Sequence, residues 1–196
     1  MANTTQASLI LRVRDHSDAD AWGQFVNVYC PLIYRYGRQN GLQDADAADL
    51  AQEVLREISR SILNFKYDPE LGRFRSWLFL IARRMLGKRS RQKAPVATGD
   101  TQFQLRLNEE PGPDESDQWN NEYKLRIFHW ASEQVAPEFN DTTWNAFWRT
   151  AVQGHKPADV AQELNLKIGT VYVAKNRVLR RLKEMIATID EGLDLL

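Results

Sequence analysis

Apolar residues recur at three- and four-residue steps along most of the chain, which is typical of amphipathic helices. The pattern begins near Ser17 or Asp18, either of which can cap a helix, and it ends first at Asn40-Gly41, a good C-terminal signal. Pro31 predicts a break or bend between two packed helices in this stretch. Further helices are predicted over residues 43–63, 73–91, 119–135 and 141–154. The predicted apolar stripes of the first two of these are Leu50, Val54, Leu55, Ile58 and Leu63, and Phe74, Trp77, Leu78, Ile81 and Met85. No strand-like alternation is found, so the sequence predicts an all-α protein.

The last basic stretch, residues 154–185, predicts two helices joined by a tight turn. Pro157 suits the first position of a short helix, and Asn165 is one of the few residues that tolerate positive φ. A longer helix from about Ile168 to Met185 follows. Its predicted apolar stripe is Ile168, Val171, Ala174, Val178, Leu182 and Met185. This spacing predicts a helix-turn-helix.

No acidic residue occurs between positions 166 and 182, so the second helix of this pair can offer cations to a polyanion. Gly169 and Thr170 are small enough to allow close approach to base edges. The alternative is a merely solvated, basic amphipathic helix. The paired-helix spacing favours DNA binding.

Charge is segregated in the first half of the chain as well. Between residues 44 and 57 five acids accompany one base, Arg56, which indicates either a dipole-stabilised solvated face or a docking surface for a basic protein. Between residues 71 and 93 there is no acid at all. Phe65, Lys66 and Tyr67 lie in the predicted loop before this basic helix, where the aromatics either stack on nucleic-acid bases or fold back onto the core.

Composition sets the remaining bounds. The 196 residues include 26 bases and 26 acids, so any affinity for nucleic acid must come from local charge. One cysteine, Cys30, excludes an internal disulfide, and no secretory leader or membrane-spanning run is recognisable, so we expect a cytoplasmic protein without membrane insertion. Residues 94–117, rich in proline, glycine and acids, predict a flexible acidic linker between two helical domains. Isolated histidines and the lack of a phosphate loop argue against an enzyme, and no cofactor or metal is expected.

Three motifs occur in order along the chain. They are D-A-A-D-L-A-Q-E-V at 46–54, F-R-S-W-L at 74–78 followed by I-A-R at 81–83, and Gly154 with Val160-Ala161, Leu164 and Gly169-Thr170-Val171. In these motifs the chain resembles the bacterial RNA polymerase sigma factors of the small extracytoplasmic-function (ECF) group of the sigma-70 family. The resemblance implies a region 2-like helical bundle over residues 8–93, the linker over 94–117, and a region 4-like helix-turn-helix domain over 118–196. The chain departs from the family pattern at Arg84, Asn165, Lys167 and Ala174, so the resemblance predicts no particular promoter sequence.

The resemblance implies partners and roles for individual residues. The partners are core RNA polymerase and the promoter −10 and −35 elements, with an anti-sigma factor as a candidate regulator. Core polymerase would be bound by Asp49, Gln52 and Glu53. The −10 element would be bound by Lys66, Tyr67, Arg73, Arg75, Arg83, Arg84, Lys88, Arg89 and Arg91. The −35 element would be bound by Lys167, Gly169, Thr170, Tyr172, Val173, Lys175, Asn176, Arg177, Arg180 and Arg181.

The sequence thus predicts a non-catalytic sigma factor that binds core polymerase and directs promoter-specific initiation. The alternative is a stand-alone helix-turn-helix regulator that binds duplex operators without polymerase. The two predictions differ in whether the chain needs core polymerase to act on a promoter.

Overall fold

The computed structural model describes residues 9–65, 74–93 and 112–189, except for the side chains of residues 91–93. These residues form helices and contain no strand, which confirms the all-α prediction. The α-helices are α1 (Leu9–Arg12), α2 (Ala19–Gln39), α3 (Asp44–Ser61), α4 (Phe74–Lys93), α5 (Pro113–Val135), α6 (Asp141–Phe147), α7 (Pro157–Glu163) and α8 (Ile168–Ala187). Short 3₁₀ turns follow α3 and α5, and a π-helical turn, Trp148–Val152, follows α6.

Two compact units divide the described chain, and the boundary falls inside α5. Residues 9–126 form the first unit, and the described residues from 127 onwards belong to the second. The predicted domain limits at residues 93 and 118 stay a prediction. Most of the predicted linker, residues 94–111, lies outside the described residues.

Helix α2 is one continuous helix of 21 residues, so the predicted break at Pro31 is wrong. Pro31 lies on the exposed side of the helix, and the carbonyl of Asn27, which proline deprives of its helical donor, accepts from Arg126 instead. The predicted cap is confirmed, since Asp18 accepts a 2.8 Å hydrogen bond from the backbone N–H of Ala21. The predicted end is confirmed too, with Gly41 at a φ of 85°.

Helix α3 packs against α2 through a close helix contact. A Cβ placed on Gly37 would lie 3.2 Å from a methyl carbon of Leu50, so an alanine there would require the neighbouring side chains to shift by a few tenths of an ångström. The buried face of α3 comprises Ala47, Leu50, Ala51, Val54 and Ile58. Of the predicted stripe, Leu63 is instead exposed, and its neighbour Ile62 is buried because it lies four positions after Ile58 on the same helix face.

Helix α4 contributes Phe74, Leu78, Phe79, Ala82 and Leu86 to the core of the first unit. The predicted members Trp77, Ile81 and Met85 are only half-buried. The face of α4 that is buried is therefore rotated from the predicted one.

Helix α5 begins at Pro113, six residues before the predicted start at Trp119. Proline suits the first turn of a helix, and Asp114 and Glu115 favour the positive end of its dipole. Trp119 is buried, stacks on Phe79 with ring centroids 5.2 Å apart, and donates its indole N–H to the carbonyl of Arg75 at 3.2 Å. The first half of α5 is thus an integral part of the first unit.

The second unit contains the predicted helix-turn-helix. Pro157 begins α7, and Asn165 adopts a φ of 52° in the turn before α8, as predicted. Val160, Ala161, Val171 and Ala174 pack with Ala146 of α6 in one buried cluster. At the ends of the predicted stripe Ile168 is exposed, and Ile186 is buried where Met185 was predicted.

Candidate nucleic-acid and partner interfaces

The acidic face of α3 presents the three residues predicted to bind core polymerase. Asp49 and Gln52 are exposed, and Glu53 is partly exposed one turn further on. Residues 49, 52 and 53 share a face because they are three and four positions apart. The structure therefore brings these side chains together on the surface of the first unit.

One cation lies within this acidic face. The guanidinium of Arg89 from α4 is 3.0 Å from a carboxylate oxygen of Glu53 and 3.4 Å from oxygens of both Asp46 and Asp49. The Arg89 side chain is only 12% exposed. Arg89 was predicted to contact −10 DNA, whereas the structure places it against the acids of α3.

A second arginine of the predicted −10 group is buried. Arg83 donates from Nε to both carboxylate oxygens of Glu115 on α5, each at 3.2 Å, and the hydroxyl of Tyr36 donates to the same carboxylate at 3.0 Å. Arg83 is 5% exposed to solvent. In this arrangement its charge is directed into the unit and not towards solvent.

Arg84 and Lys88 are the members of the predicted −10 group that α4 presents on the surface. Arg75 is half-buried, and its Nη1 is buried without a hydrogen-bond partner among the described residues. Lys66, Tyr67 and Arg73 lie outside the described residues, as does the side chain of Arg91.

Arg56 and Arg60 of α3 extend the basic surface, although neither was predicted to bind DNA. With Arg84 and Lys88 they line a groove of about 460 Å³ between α3 and α4. Its lining also includes Arg89, the acids Glu53 and Glu57, and the partly buried Ile81 and Met85. The signal was present in the sequence, because both cation pairs are spaced by four residues on a helix. The sequence alone does not show that the two helices turn these pairs towards each other.

Phe65, one of the loop aromatics, folds back onto the core. Its ring centroid lies 4.6 Å from that of Trp77 and 5.6 Å from that of Phe74. For this residue the structure favours the packing alternative over base stacking. Trp77 remains half-buried at the edge of the cluster.

Helix α8 presents a continuous exposed surface opposite its buried stripe. Tyr172 and Val173 are 51% and 58% exposed, large values for such side chains in a folded domain. Lys175 is half-buried, and the other exposed members of the predicted −35 group are Lys167, Gly169, Thr170, Asn176, Arg177 and Arg180. The helix can therefore offer apolar, amide and cationic groups together, the mixture that reads base edges in a major groove.

Arg181 differs from the other predicted members of this group. It donates to both carboxylate oxygens of Glu138, at 2.6 and 2.8 Å, and lies 3.5 Å from Glu184. The hydrogen bond from Arg181 lowers the pKa of Glu138, and the same bond raises the pKa of Arg181. Arg181 is thus engaged within the second unit and joins α8 to the turn that precedes α6.

The described residues lack two features, a membrane-spanning helix and a metal-binding cluster. None of their helices is long and apolar enough to cross a bilayer. Within the same ranges, no three His, Cys, Asp or Glu side chains are grouped so that they could hold a metal ion.

Comparisons with known proteins place residues 25–95 in a family. These residues match the model for Sigma-70 region 2, a stretch that begins within α2 and extends just past the end of α4. No curated protein matches the sequence. A chain from a solved RsbN–BldN complex aligns with 90% of this chain and 98% of its own length, at 19% identity and a TM-score of 0.36, which is too low to support an argument.

The region 2 match coincides with the helices that carry the acidic face and the basic groove. It also contains two of the three motifs on which the resemblance was based, at 46–54 and 74–83. Residues 25–95 are therefore similar to region 2 of the sigma-70 family.

Proposed function

We propose that the protein is an ECF-type sigma factor, which binds core RNA polymerase and directs promoter-specific initiation of transcription. The observation that carries the proposal is the region 2 match, since it covers α3 and α4 together with their segregated charges. The helix-turn-helix of the second unit supplies a second candidate DNA-binding surface. Two small helical modules of this kind are what the ECF resemblance implies.

Core polymerase would bind the acidic face of α3. Asp49 and Gln52 are exposed there, and Glu53 retains 35% of its side-chain exposure, so all three can reach a partner. A surface of one charge sign speeds association with a partner surface of the opposite sign, and it disfavours partners of the same sign. The partner surface would accordingly be basic.

Promoter DNA would be bound at two places. In the first unit, Arg84 and Lys88 with Arg56 and Arg60 offer cations for the phosphates of the −10 element. Extrusion of a base costs a few kcal/mol, an amount that a pocket and phosphate contacts can offset. In the second unit, the exposed side of α8 would enter the major groove of the −35 element.

Transcription in vitro with purified core polymerase tests the proposal. The unchanged protein should support RNA synthesis from a cognate promoter selected from a random pool, whereas core polymerase alone should not. The double charge reversal Asp49→Lys/Glu53→Lys should abolish this synthesis by weakening core binding. A matched reversal of two exposed acids on α5, Asp117→Lys/Glu133→Lys, should retain it.

A stand-alone duplex-binding regulator is the second candidate, because α8 exposes most of its predicted reading surface. Such a protein would protect a duplex operator without polymerase and would not start RNA synthesis. Co-elution with core polymerase separates the two functions, since only a sigma factor requires that complex. Regulation by an anti-sigma factor stays a prediction that neither candidate depends on.

A further inference from the structure

Arg89 is the one cation that contacts several of the acids on α3 within the described residues. Its Nη1 donates to Glu53 at 3.0 Å, while its Nη2 lies 3.4 Å from both Asp46 and Asp49. Asp49 nevertheless keeps 62% of its side-chain exposure. The carboxylate is therefore held from one side and open to a partner on the other.

The spacing of these acids explains why they need a cation. Residues 46, 49 and 53 lie three and four positions apart on a single helix face, where like charges repel. A guanidinium presents five donors in a rigid fork, so it can bind more than one carboxylate in a fixed geometry. Arg89 reaches all three acids from the neighbouring helix, and its own side chain is largely enclosed.

We propose that Arg89 is a positioning residue of the polymerase-docking face and not a promoter contact. It fixes the orientation of Asp49 and Glu53 before the partner arrives, which reduces the ordering cost of association. This inference rests on the proposed function, because it assigns Arg89 to the surface that binds core polymerase. If Arg89 instead neutralised these acids and weakened docking, its removal would strengthen the binding of core polymerase.

The test is the affinity of the full chain for core polymerase, measured by fluorescence anisotropy. Arg89→Met should weaken binding about tenfold, and Arg89→Lys, which keeps the charge but not the fork, should recover part of the loss. Lys124→Met serves as the control, since Lys124 is an exposed cation on α5 of the same unit, belongs to neither proposed interface, and should change core affinity less than about twofold.

A double-mutant cycle separates positioning from a general structural effect. In an Asp49→Asn/Glu53→Gln background, Arg89→Met should have little further effect on core affinity, because the carboxylates that it positions are gone. A merely structural arginine would cost the same in both backgrounds, and that result would overturn the assignment. Amide hydrogen exchange in α3 and α4 shows whether each variant is folded, and Arg89→Lys replaces Arg89→Met if the latter is not.

The remaining outcomes are equally decisive. The positioning role would be overturned if Arg89→Met bound core polymerase as tightly as the unchanged protein, or more tightly. If only Arg89→Lys folds, the same result for that variant would overturn it. Failure of the unchanged protein to bind core polymerase would overturn the proposed function and this inference with it. Normal binding by the unchanged protein, with equal losses in the Arg89 and Lys124 variants, would overturn the inference alone.

Discussion

The substitution Glu115→Gln tests how firmly the first half of α5 is fixed to the rest of the first unit. Glu115 accepts two hydrogen bonds from Arg83 and one from Tyr36, and its side chain is 20% exposed. Glutamine keeps the shape and one acceptor but removes the charge that balances a buried guanidinium. The region around α5 should therefore be destabilised without a change of fold.

The magnitude follows from the geometry of the pair. Removing one partner of a buried ion pair typically costs about 3–5 kcal/mol. Arg83 takes part in further interactions, and glutamine still accepts a neutral hydrogen bond, so we expect a loss of about 2 kcal/mol. At about 1.36 kcal/mol per factor of ten, this loss corresponds to an increase of about 30-fold in the equilibrium constant for opening.

Amide hydrogen exchange, resolved by peptide, is the suitable measurement because it reports on α4 and α5 separately from the second unit. Under conditions where opening is at equilibrium, protection of these two helices should fall about 30-fold in Glu115→Gln. The control Glu122→Gln, also on α5, changes a carboxylate that is 17% exposed and that also accepts from Gln39 at 3.2 Å. Its cation, Arg35, is 61% exposed and therefore stays hydrated when the pair is broken. A surface pair of this kind contributes about 0.5 kcal/mol, so the control should change protection about twofold.

Equal protection in the two variants would refute this reasoning. It would mean that the enclosed pair contributes no more than a solvated one, and that the aromatic contacts of Trp119 alone hold α5 in place. A loss confined to the peptides of α5, with α4 unaffected, would also contradict it, because Arg83 belongs to α4.

Three other substitutions test local features. Asn165→Ala should lower the stability of the second unit by about 1 kcal/mol because φ is positive there, whereas Asn165→Gly should not; equal melting temperatures would contradict this. Asp18→Ala removes the cap of α2 and both hydrogen bonds from Arg12, and urea unfolding should show a loss of about 1–2 kcal/mol; an unchanged midpoint would exclude a stabilising cap. Arg181 lowers the pKa of Glu138, so this pair stabilises the fold above the ordinary value of 4.5, and its contribution is lost as pH falls through the lowered pKa. Glu138→Gln should remove that acid-side loss from the pH profile of unfolding, and an identical profile would contradict it.

Periodicity predicted most helices because a buried stripe requires apolar residues at fixed steps. The turn before α8 was predictable as well, since few residues other than glycine tolerate the φ found at Asn165. The errors involve proline. Pro31 was assigned to a break, and Pro113 was left outside the helix predicted over 119–135, although the first lies on an exposed side of α2 and the second begins α5. Local sequence does not show which side of a helix a proline occupies.

The charged sites were less predictable than the helices. Arg83, Arg84, Lys88 and Arg89 belong to one uninterrupted basic series, yet the structure encloses Arg83 and Arg89 and exposes the other two. The reason lies in distant acids, since Glu115 is 32 residues from Arg83 and Glu53 is 36 residues from Arg89. A charge count along the chain identifies a basic helix but not which of its cations are already paired.

The same helix pair carries both candidate interfaces of the first unit. Arg89 links α4 to the acidic face of α3, and the groove formed by Arg56, Arg60, Arg84 and Lys88 is lined by side chains of both helices. A change that alters the packing of α3 on α4 must therefore affect polymerase docking and −10 binding together. Substitutions on the exposed side of α8 should affect duplex binding alone. Since two tethered contacts multiply each other's affinity, a weak defect in either interface should be amplified at a promoter that requires both.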